Sequence, residues 1–197
     1  MSEHIFPVNS LVSSADREKT LKQKAVLIWL TGLSGSGKTT IGRELEKKLN
    51  RAGFHAFLLD GDSLRAGLNK DLGFSIEDRN ENIRRAGEVC KLLTEAGLIV
   101  ITTFISPLRS QRDAIRARFK NDCFVEVFID TPLQICEERD VKGLYKKARA
   151  GEVKNFTGID SPYEPPLKPE LTIETKGSTE SESADKLESF IMRFIMV

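Results

Sequence analysis

The segment Gly32-Leu33-Ser34-Gly35-Ser36-Gly37-Lys38-Thr39 constrains the fold of this chain more than any other. It has the spacing of a phosphate-binding loop, in which two glycines with four residues between them precede a lysine and a hydroxyl. A continuous apolar run, residues 25–30, comes before it and is typical of a strand buried on both faces. Apolar residues recur at helical spacing after it. The alternative is a glycine-rich turn without a ligand, but the strand–loop–helix order favours a nucleoside triphosphate site.

The residue types in this loop suit a polyphosphate. Successive backbone N–H groups form a concave anion site, and glycine allows close approach and positive φ. The next helix directs its positive N-terminal end at the same phosphates. Lys38 adds a charge over the β and γ oxygens, and the Thr39 hydroxyl can ligate Mg²⁺. The expected ATP-binding residues are Gly32, Leu33, Ser34, Gly35, Ser36, Gly37, Lys38, Thr39 and Thr40.

Apolar segments alternate with amphipathic helical segments through the rest of the chain. Strands are expected near residues 25–30, 55–59, 98–105, 123–129 and 171–174. Because such alternation is typical of parallel sheets covered on both faces, the chain is predicted to be α/β. The expected architecture is a P-loop NTPase-type parallel five-stranded sheet with helices on both faces and a lid segment.

Local signals predict where several helices begin. Ser75 and Asp78 have the spacing of a capping box. Ser106 and Thr131 each precede a proline, and a hydroxyl cap followed by proline is typical of a helix start. The final amphipathic helix is expected to bury Ala184, Leu187, Ile191 and Phe194.

Composition excludes some classes of partner. A net charge of +1 over 197 residues gives no basic field for nucleic acid, and apolar runs such as residues 98–101 are far too short to span a bilayer. The N-terminus is polar and has no signal-peptide core. Three cysteines without metal-ligand spacing indicate free thiols in a reducing cytoplasm. We expect a cytoplasmic protein that binds neither nucleic acid nor membrane.

Two carboxylates follow the second expected strand. Ligands of parallel sheets bind beyond the carboxyl ends of the strands, which is where Asp60 and Asp62 lie. A phosphoryl-transfer enzyme needs a carboxylate near the acceptor hydroxyl, to take its proton or to order Mg²⁺, and Asp60 is nearer the strand end. A solvated turn explains the same residues equally well, because Asp and Gly are common turn residues.

Several cations and two aromatic residues occupy the loops that follow. Arg65, Arg79 and Arg109 lie nearest a strand end or loop, and they are the candidates for binding an anionic acceptor; a solvated surface is the alternative. Phe74 and Phe156 lie in loops next to glycine. Loop phenylalanines usually pack into the core, but two beside one crevice can stack on a planar base. The acceptor would then be a nucleotide.

Residues 142–149 carry four cations and a glycine. An exposed charged helix is the commoner structure for such a segment. As a lid it would close over the phosphates, bring Lys142 to the transferring group and exclude water.

With these residues assembled, the chain resembles the adenylylsulfate kinase (APS kinase) family from about Ala25 to Thr175. Besides the phosphate loop, the resemblance depends on LDGDSLR at 59–65, GFSIEDRNENIRR at 73–85, FISPLRSQR at 104–112, ERDVKGLYKKARAGE at 138–152 and NFTGIDSPYEPP at 155–166. Two departures, Thr102-Thr103-Phe104 and Asn155 in place of a common glycine, concern packing and lid mobility.

The resemblance implies that the γ-phosphoryl group of ATP is transferred to the 3′-hydroxyl of adenosine 5′-phosphosulfate (APS). The products are PAPS and ADP, the cofactor is Mg²⁺, and the enzyme is a homodimer of the sulfate-activation pathway. An N-terminal arm is expected at residues 1–24 and one P-loop kinase domain at 25–197, with the lid at about 142–158.

The resemblance also implies roles for individual residues. Asp60 faces the 3′-hydroxyl as base or metal organiser, Phe74 and Phe156 sandwich the adenine of APS, and Arg139 lies against the adenine of ATP. The expected catalytic residues are Lys38, Asp60, Lys142 and Ser106. The expected substrate-binding residues are Asp60, Asp62, Arg65, Phe74, Arg79, Asn82, Ile105, Ser106, Lys142, Leu144 and Phe156.

Ser106 has two interpretations. Family descriptions mark this serine as a phosphoserine intermediate, whereas in-line transfer to a bound hydroxyl needs no such intermediate. We favour a contact or a helix cap.

Two rival functions remain at this level. Another small-molecule P-loop kinase, for a nucleoside monophosphate or a sugar acid, would lack the two loop phenylalanines and the KGLYKKAR lid. A regulatory nucleotide-binding module with a dead site would not need Lys38, Thr39, Asp60 and Lys142 together.

Overall fold

The structure, a computed structural model, describes residues 11–120 and 122–197, so residues 1–10 of the expected arm lie outside the described range. The helices are α1 (Ser14–Leu21), α2 (Lys38–Arg51), α3 (Gly61–Ala66), α4 (Ile76–Glu95), α5 (Arg109–Arg116), α6 (Leu133–Arg139), α7 (Leu144–Arg149) and α8 (Glu180–Ile195). The strands are β1 (Leu27–Thr31), β2 (Ala56–Asp60), β3 (Ile99–Thr103), β4 (Phe124–Asp130) and β5 (Leu171–Glu174).

These strands form one five-stranded sheet in the order β2-β3-β1-β4-β5, and every neighbouring pair is parallel. The predicted architecture is therefore confirmed. β1 is central and buried along its whole length, as its apolar sequence predicts. Both of its neighbours come later in the chain, so the loop after β1 opens at the point where the strand order reverses. Ligands of open α/β sheets bind at such a point.

Side chains alternate between two apolar cores, one on each face of the sheet. Ile28 of β1 belongs to the core beneath α2 and α8, and Trp29 belongs to the core beneath α4 and α5. The expected apolar face of α8 is confirmed except at its end, where Ile195 is buried and Phe194 packs against the core only partly buried.

One predicted helix cap is confirmed and two are wrong. The Ser75 hydroxyl accepts a hydrogen bond from the Asp78 N–H at 3.0 Å and caps α4. In contrast, α5 follows Leu108 rather than Ser106, and α6 follows Pro132 rather than Thr131. The hydroxyls of Ser106 and Thr131 are buried and bond to distant residues, described below, so they do not cap these helices.

The described part of the N-terminal segment packs at the amino ends of the strands. The fully buried Gln23 donates to the Gly97 carbonyl at 2.8 Å and accepts from the His55 N–H at 2.7 Å. It therefore lies at the amino ends of the strands, whereas the phosphate loop lies at their carboxyl ends. Within residues 11–120 and 122–197, no helix is both long enough and apolar enough to cross a membrane.

We expect the packing of α8 to contribute strongly to stability. Leu187 is fully buried, so Leu187→Ala should lower the free energy of unfolding by about 2–5 kcal/mol through lost burial and a residual cavity. Leu92, 68% exposed on α4, is the matched control, and Leu92→Ala should change it by less than about 0.5 kcal/mol. Urea unfolding of both variants measures the difference, and equal losses would contradict the assignment of α8 to the core.

Candidate functional site

The phosphate loop passes so close to its neighbours that a side chain at either of two glycines would strain it. A Cβ at Gly32 would lie 2.6 Å from the Ile129 carbonyl oxygen, and a Cβ at Gly35 3.0 Å from that of Cys136. Gly37 is the N-cap of α2, has φ of 99°, and leaves the first turn of the helix without a side-chain cap. The loop N–H groups and the positive end of α2 are therefore free of side-chain caps at the place where the sequence predicts an anion site.

The Lys38 ammonium is held inside this loop. Its Nζ donates to the carbonyl oxygens of Gly32 at 3.0 Å and Leu33 at 2.6 Å, and to the Ser36 hydroxyl at 3.3 Å. The residue is only 7% exposed, and burial lowers the pKa of Lys38 to about 8, with a smaller contribution from the positive charge of Lys142. A partly desolvated cation lies where an incoming phosphate would meet it.

The loop is also anchored to the end of β4. The Thr131 hydroxyl donates to the Ser36 carbonyl at 3.0 Å, which explains why it does not cap α6. Arg139 approaches from α6, where its Nη1 donates to the Gly35 carbonyl at 3.3 Å. Arg139 therefore lies beside the loop, as expected of a residue near the donor nucleotide.

Asp60 lies within reach of the loop helix. Its Oδ1 accepts from the hydroxyls of Thr103 at 2.7 Å and Thr39 at 3.2 Å, and its Oδ2 accepts from the Asp62 N–H at 3.0 Å. Partial burial opposes ionisation, but the bonds from Thr103, the Asp62 N–H and Thr39 outweigh it and lower the pKa of Asp60. Asp60 is therefore an ionised carboxylate next to the Thr39 hydroxyl rather than a solvated turn residue.

A cationic aromatic patch lies beyond the end of β2. The Arg65 guanidinium is 4.5 Å from the centroid of the Phe74 ring, and that of Arg79 is 5.9 Å from it. The Phe74 side chain is 62% exposed. Burial lowers the pKa of both arginines. Arg109 is not part of this patch, because its Nε donates to the Pro165 carbonyl.

Arg79 connects this patch to the loop that carries Phe156. Its Nη1 donates to the Thr157 hydroxyl at 2.8 Å and its Nη2 to the Asn155 carbonyl at 2.6 Å. Asn155 has φ of 57°, a left-handed conformation that glycine favours and asparagine tolerates. The departure from glycine at this position therefore leaves the turn intact.

Phe74 and Phe156 have different surroundings, although both lie in loops. Phe156 is 9% exposed and meets the Tyr145 ring edge-on, with 4.9 Å between centroids. It belongs to a small apolar cluster, which we name the lid cluster. The lid cluster consists of Cys136, Tyr145, Ala148 and Phe156, with Leu33, Leu133, Leu144, Val153 and Ile159 packed against them.

The lid reaches both the phosphate loop and α3. The Lys142 ammonium forms an ion pair with the Asp62 carboxylate of α3. Leu144 begins α7 and packs in the lid cluster. The predicted lid segment therefore contains a short helix, and its cations are exposed around a small apolar centre.

Ser106 is an internal residue. The residue is only 2% exposed. Its hydroxyl accepts a hydrogen bond from Trp29 Nε1 at 3.0 Å and donates one to the Thr31 hydroxyl at 3.1 Å. The Thr31 hydroxyl in turn donates to the Ile105 carbonyl at 2.7 Å. Ile105 and Ser106 are thus fixed at the carboxyl end of β1, where φ of 39° at Ser106 turns the chain sharply.

Two buried polar residues were not predicted as part of the site. Asn69 is fully buried, and its Nδ2 donates to Asn82 Oδ1 at 3.0 Å; among the described residues its own Oδ1 has no partner. Arg112, 2% exposed, donates to the Ser106 carbonyl at 2.5 Å and to Glu126 at 2.7 Å. Asparagine in a turn-like segment and arginine on a charged helix are common, so no local pattern distinguishes either position from surface residues of the same type.

Comparison with known proteins identifies similar chains. The sequence profile of the adenylylsulphate kinase family matches residues 24–174. The adenylyl-sulfate kinase of Clostridium acetobutylicum is 57% identical over 91% of this chain and 90% of its own length, and that of Shewanella sp. MR-7 is 60% identical over 87% and 84%. An APS kinase of Mycobacterium tuberculosis, solved with AMPPNP and APS, is 48% identical, with a TM-score of 0.80 over 85% of this chain and 98% of that one.

The lowered pKa of Lys38 predicts a pH dependence of triphosphate binding. The ammonium is protonated below pH 8 and neutral above it, so affinity for a non-hydrolysable triphosphate should fall as the pH rises through about 8. Because the anion favours the protonated form, binding above that pH should take up a proton, which titration calorimetry in two buffers measures.

Lys38→Arg is the control, because a guanidinium stays charged up to about pH 12. Whatever its absolute affinity, this variant should show a flat profile over the same range. A wild-type affinity that does not change with pH would contradict the role given to the Lys38 proton.

Proposed function

The chain belongs to the adenylylsulphate kinase family, and on that basis we propose that it transfers the γ-phosphoryl group of ATP to the 3′-hydroxyl of adenosine 5′-phosphosulfate, giving PAPS and ADP. One observation carries the proposal beyond family membership. Asp60, at the acceptor side, shares a hydrogen bond with Thr39, which directly follows the loop lysine. The groups that hold the donor phosphate and those that face the acceptor therefore meet at one point.

On the donor side, the loop N–H groups and the N-terminus of α2 would hold the triphosphate. Lys38 already lies inside the loop, so its ammonium would exchange carbonyl partners for phosphate oxygens with little movement. Charge on the transferring group is stabilised by such fixed donors without reorganisation. Arg139 would contact the nucleotide outside the loop, and its bond to the Gly35 carbonyl supports this role.

Thr39 and Asp60 fit a Mg²⁺ site. Their oxygens are 3.2 Å apart, and oxygen is the donor that Mg²⁺ prefers. The described residues contain no group of three or more His, Cys, Asp or Glu for a metal, which suits an ion held by one or two protein oxygens plus substrate phosphates. When bound, the ion would neutralise charge on the phosphate oxygens.

Asp60 would orient the acceptor hydroxyl. Its lowered pKa makes it a weak base, and a loose transition state places little demand on early proton removal. The carboxylate would accept a hydrogen bond from the 3′-hydroxyl and take the proton as the new phosphate ester forms. The hydroxyls of Thr103 and Thr39 fix its orientation for this role.

On the acceptor side, APS presents an aromatic base and a phosphosulfate anion. The exposed ring of Phe74 offers a stacking face, and Arg65 and Arg79 offer two cations beside it. Asn82 is a buried residue of α4, three positions after Arg79. Phe156 would join an adenine sandwich only if the lid cluster rearranged, because its ring is buried there.

Lys142 and Ser106 would play different parts. The Lys142 ammonium is exposed and paired with Asp62, and from there it would reach the phosphates and help to exclude water. The Ser106 hydroxyl is buried and occupied by Trp29 and Thr31, so we assign it to support of the Ile105–Ser106 turn and route no phosphoryl group through it.

We also propose that the enzyme acts as a cytoplasmic homodimer, as the resemblance implies. Free thiols at Cys90, Cys123 and Cys136 support a reducing compartment. Light scattering at assay concentration measures the oligomeric state, and a monomer that is fully active would remove the dimer from the proposal.

The reaction is tested by measuring ATP turnover with different acceptors. We expect turnover with APS to exceed that with AMP, gluconate or shikimate by at least about 100-fold. Only APS has both an adenine base and a sulfate anion in addition to its phosphate. Equal turnover with AMP would favour another small-molecule kinase. Triphosphate binding without turnover of any acceptor would favour a regulatory module.

Asp60→Asn should separate binding from transfer. The amide keeps the size of the side chain but loses its charge, so affinity for AMPPNP without metal should stay within about threefold while turnover falls by at least about 100-fold. Asp185→Asn is the control, since Asp185 is an exposed carboxylate on α8 that pairs with Lys48. Turnover of Asp60→Asn equal to that of the control would remove Asp60 from the mechanism.

A further inference from the structure

The lid cluster lies between the phosphate loop and the loop that carries Phe156. Leu33, a residue of the phosphate loop, packs against it. A Cβ at Gly158 would lie 3.0 Å from Leu33 Cδ2, so the segment after Phe156 touches the phosphate loop directly. Arg79 holds the same segment from the other side, through Asn155 and Thr157. The two proposed substrate sites therefore share one packed boundary.

Tyr145 is the side chain in this boundary that makes a directed contact with each site. It is 2% exposed. Its ring meets the Phe156 ring edge-on at 4.9 Å with an interplanar angle of 77°, and its hydroxyl donates to the Ser34 carbonyl at 2.8 Å. Burial raises the pKa of Tyr145, so the hydroxyl keeps its proton and remains a donor throughout the working pH range.

The hydrogen bond to Ser34 controls an amide of the phosphate loop. The C=O of Ser34 and the N–H of Gly35 belong to one planar trans peptide, so they point in opposite directions. Because Tyr145 holds this carbonyl toward the lid, the Gly35 N–H points away from the lid cluster. Glycine has the conformational freedom to rotate, and φ is 73° at Gly35, so the peptide needs such a restraint.

We propose that Tyr145 is a positioning residue that couples the two substrate sites, its hydroxyl fixing the Ser34–Gly35 peptide for phosphate binding and its ring supporting Phe156. The proposal rests on the proposed function, which supplies the acceptor. A ligand that moves Phe156 would move the Tyr145 ring, and the hydroxyl would transmit that shift to a phosphate-binding amide. Coupling of this kind is reciprocal, so each ligand should alter the affinity of the other by the same factor.

The test compares two tyrosine variants. Tyr145→Phe keeps the ring and its packing but removes the hydrogen bond to the loop. Tyr163→Phe is the matched control, because Tyr163 is a partly buried tyrosine whose hydroxyl pairs with that of Thr31 instead. For each variant and the wild type, calorimetry measures the Kd of AMPPNP alone and with saturating APS, and the Kd of APS alone.

We expect Tyr145→Phe to weaken AMPPNP binding about 3- to 10-fold, the loss typical of one hydrogen bond. In the wild type, saturating APS should change the Kd of AMPPNP. In Tyr145→Phe, the ratio of the Kd of AMPPNP with APS to that without APS should move toward one. Tyr163→Phe should leave both quantities unchanged, and the two variants should melt within a few degrees of each other. Equal AMPPNP affinities for Tyr145→Phe and the control would overturn the positioning role.

A second measurement uses the wild-type protein and does not depend on a variant that folds. Hydrogen exchange of the phosphate-loop amides should change when APS is added without nucleotide, and unchanged exchange would overturn the coupling. The Kd of APS for the wild type separates the two proposals. If APS does not bind, the proposed acceptor is wrong, whereas the effect of Tyr145→Phe on AMPPNP alone still decides whether Tyr145 positions the loop.

Discussion

The site depends on a cation held inside a loop of backbone. Lys38 bonds to two carbonyl oxygens of its own loop and is almost fully buried, which costs enough to lower its pKa to about 8. Such a charge favours a polyanion, because phosphate oxygens compensate it better than neutral carbonyls do. The close contacts of Gly32 and Gly35 with Ile129 and Cys136 hold the loop against the sheet and α6 in the shape that makes this possible.

Sheet register then brings Asp60, which we propose to face the acceptor, close to the phosphate loop. Asp60 and Thr103 are register partners at the ends of β2 and β3, so their side chains bond directly. Thr39 begins α2, next to the lysine, and reaches the same carboxylate. The parallel arrangement aligns these strand ends at one edge of the sheet. Two hydroxyls from separate segments thus bond to one carboxylate oxygen of Asp60, and no long loop is needed to bring these three residues together.

Features that depend on neighbouring residues could be predicted from the sequence, and those that depend on distant partners could not. The phosphate loop, the five strands and the Ser75 cap follow from local patterns and are confirmed. The Ser106 and Thr131 caps were wrong because Trp29 and Ser36, far away in sequence, take those hydroxyls. For the same reason the local sequence did not distinguish the exposed Phe74 from the buried Phe156.

The buried position of Phe156 changes how the lid is understood. A flap that moved freely would expose its apolar side chains when open, and this would cost free energy at every opening. Here the lid packs on Leu33 of the phosphate loop, and Tyr145 bonds to that loop as well. The lid therefore packs as part of the proposed donor site rather than as a separate cover. An acceptor that engages Phe156 must act on the donor loop too, which is what a kinase needs if it is to transfer phosphate to its acceptor and not to water.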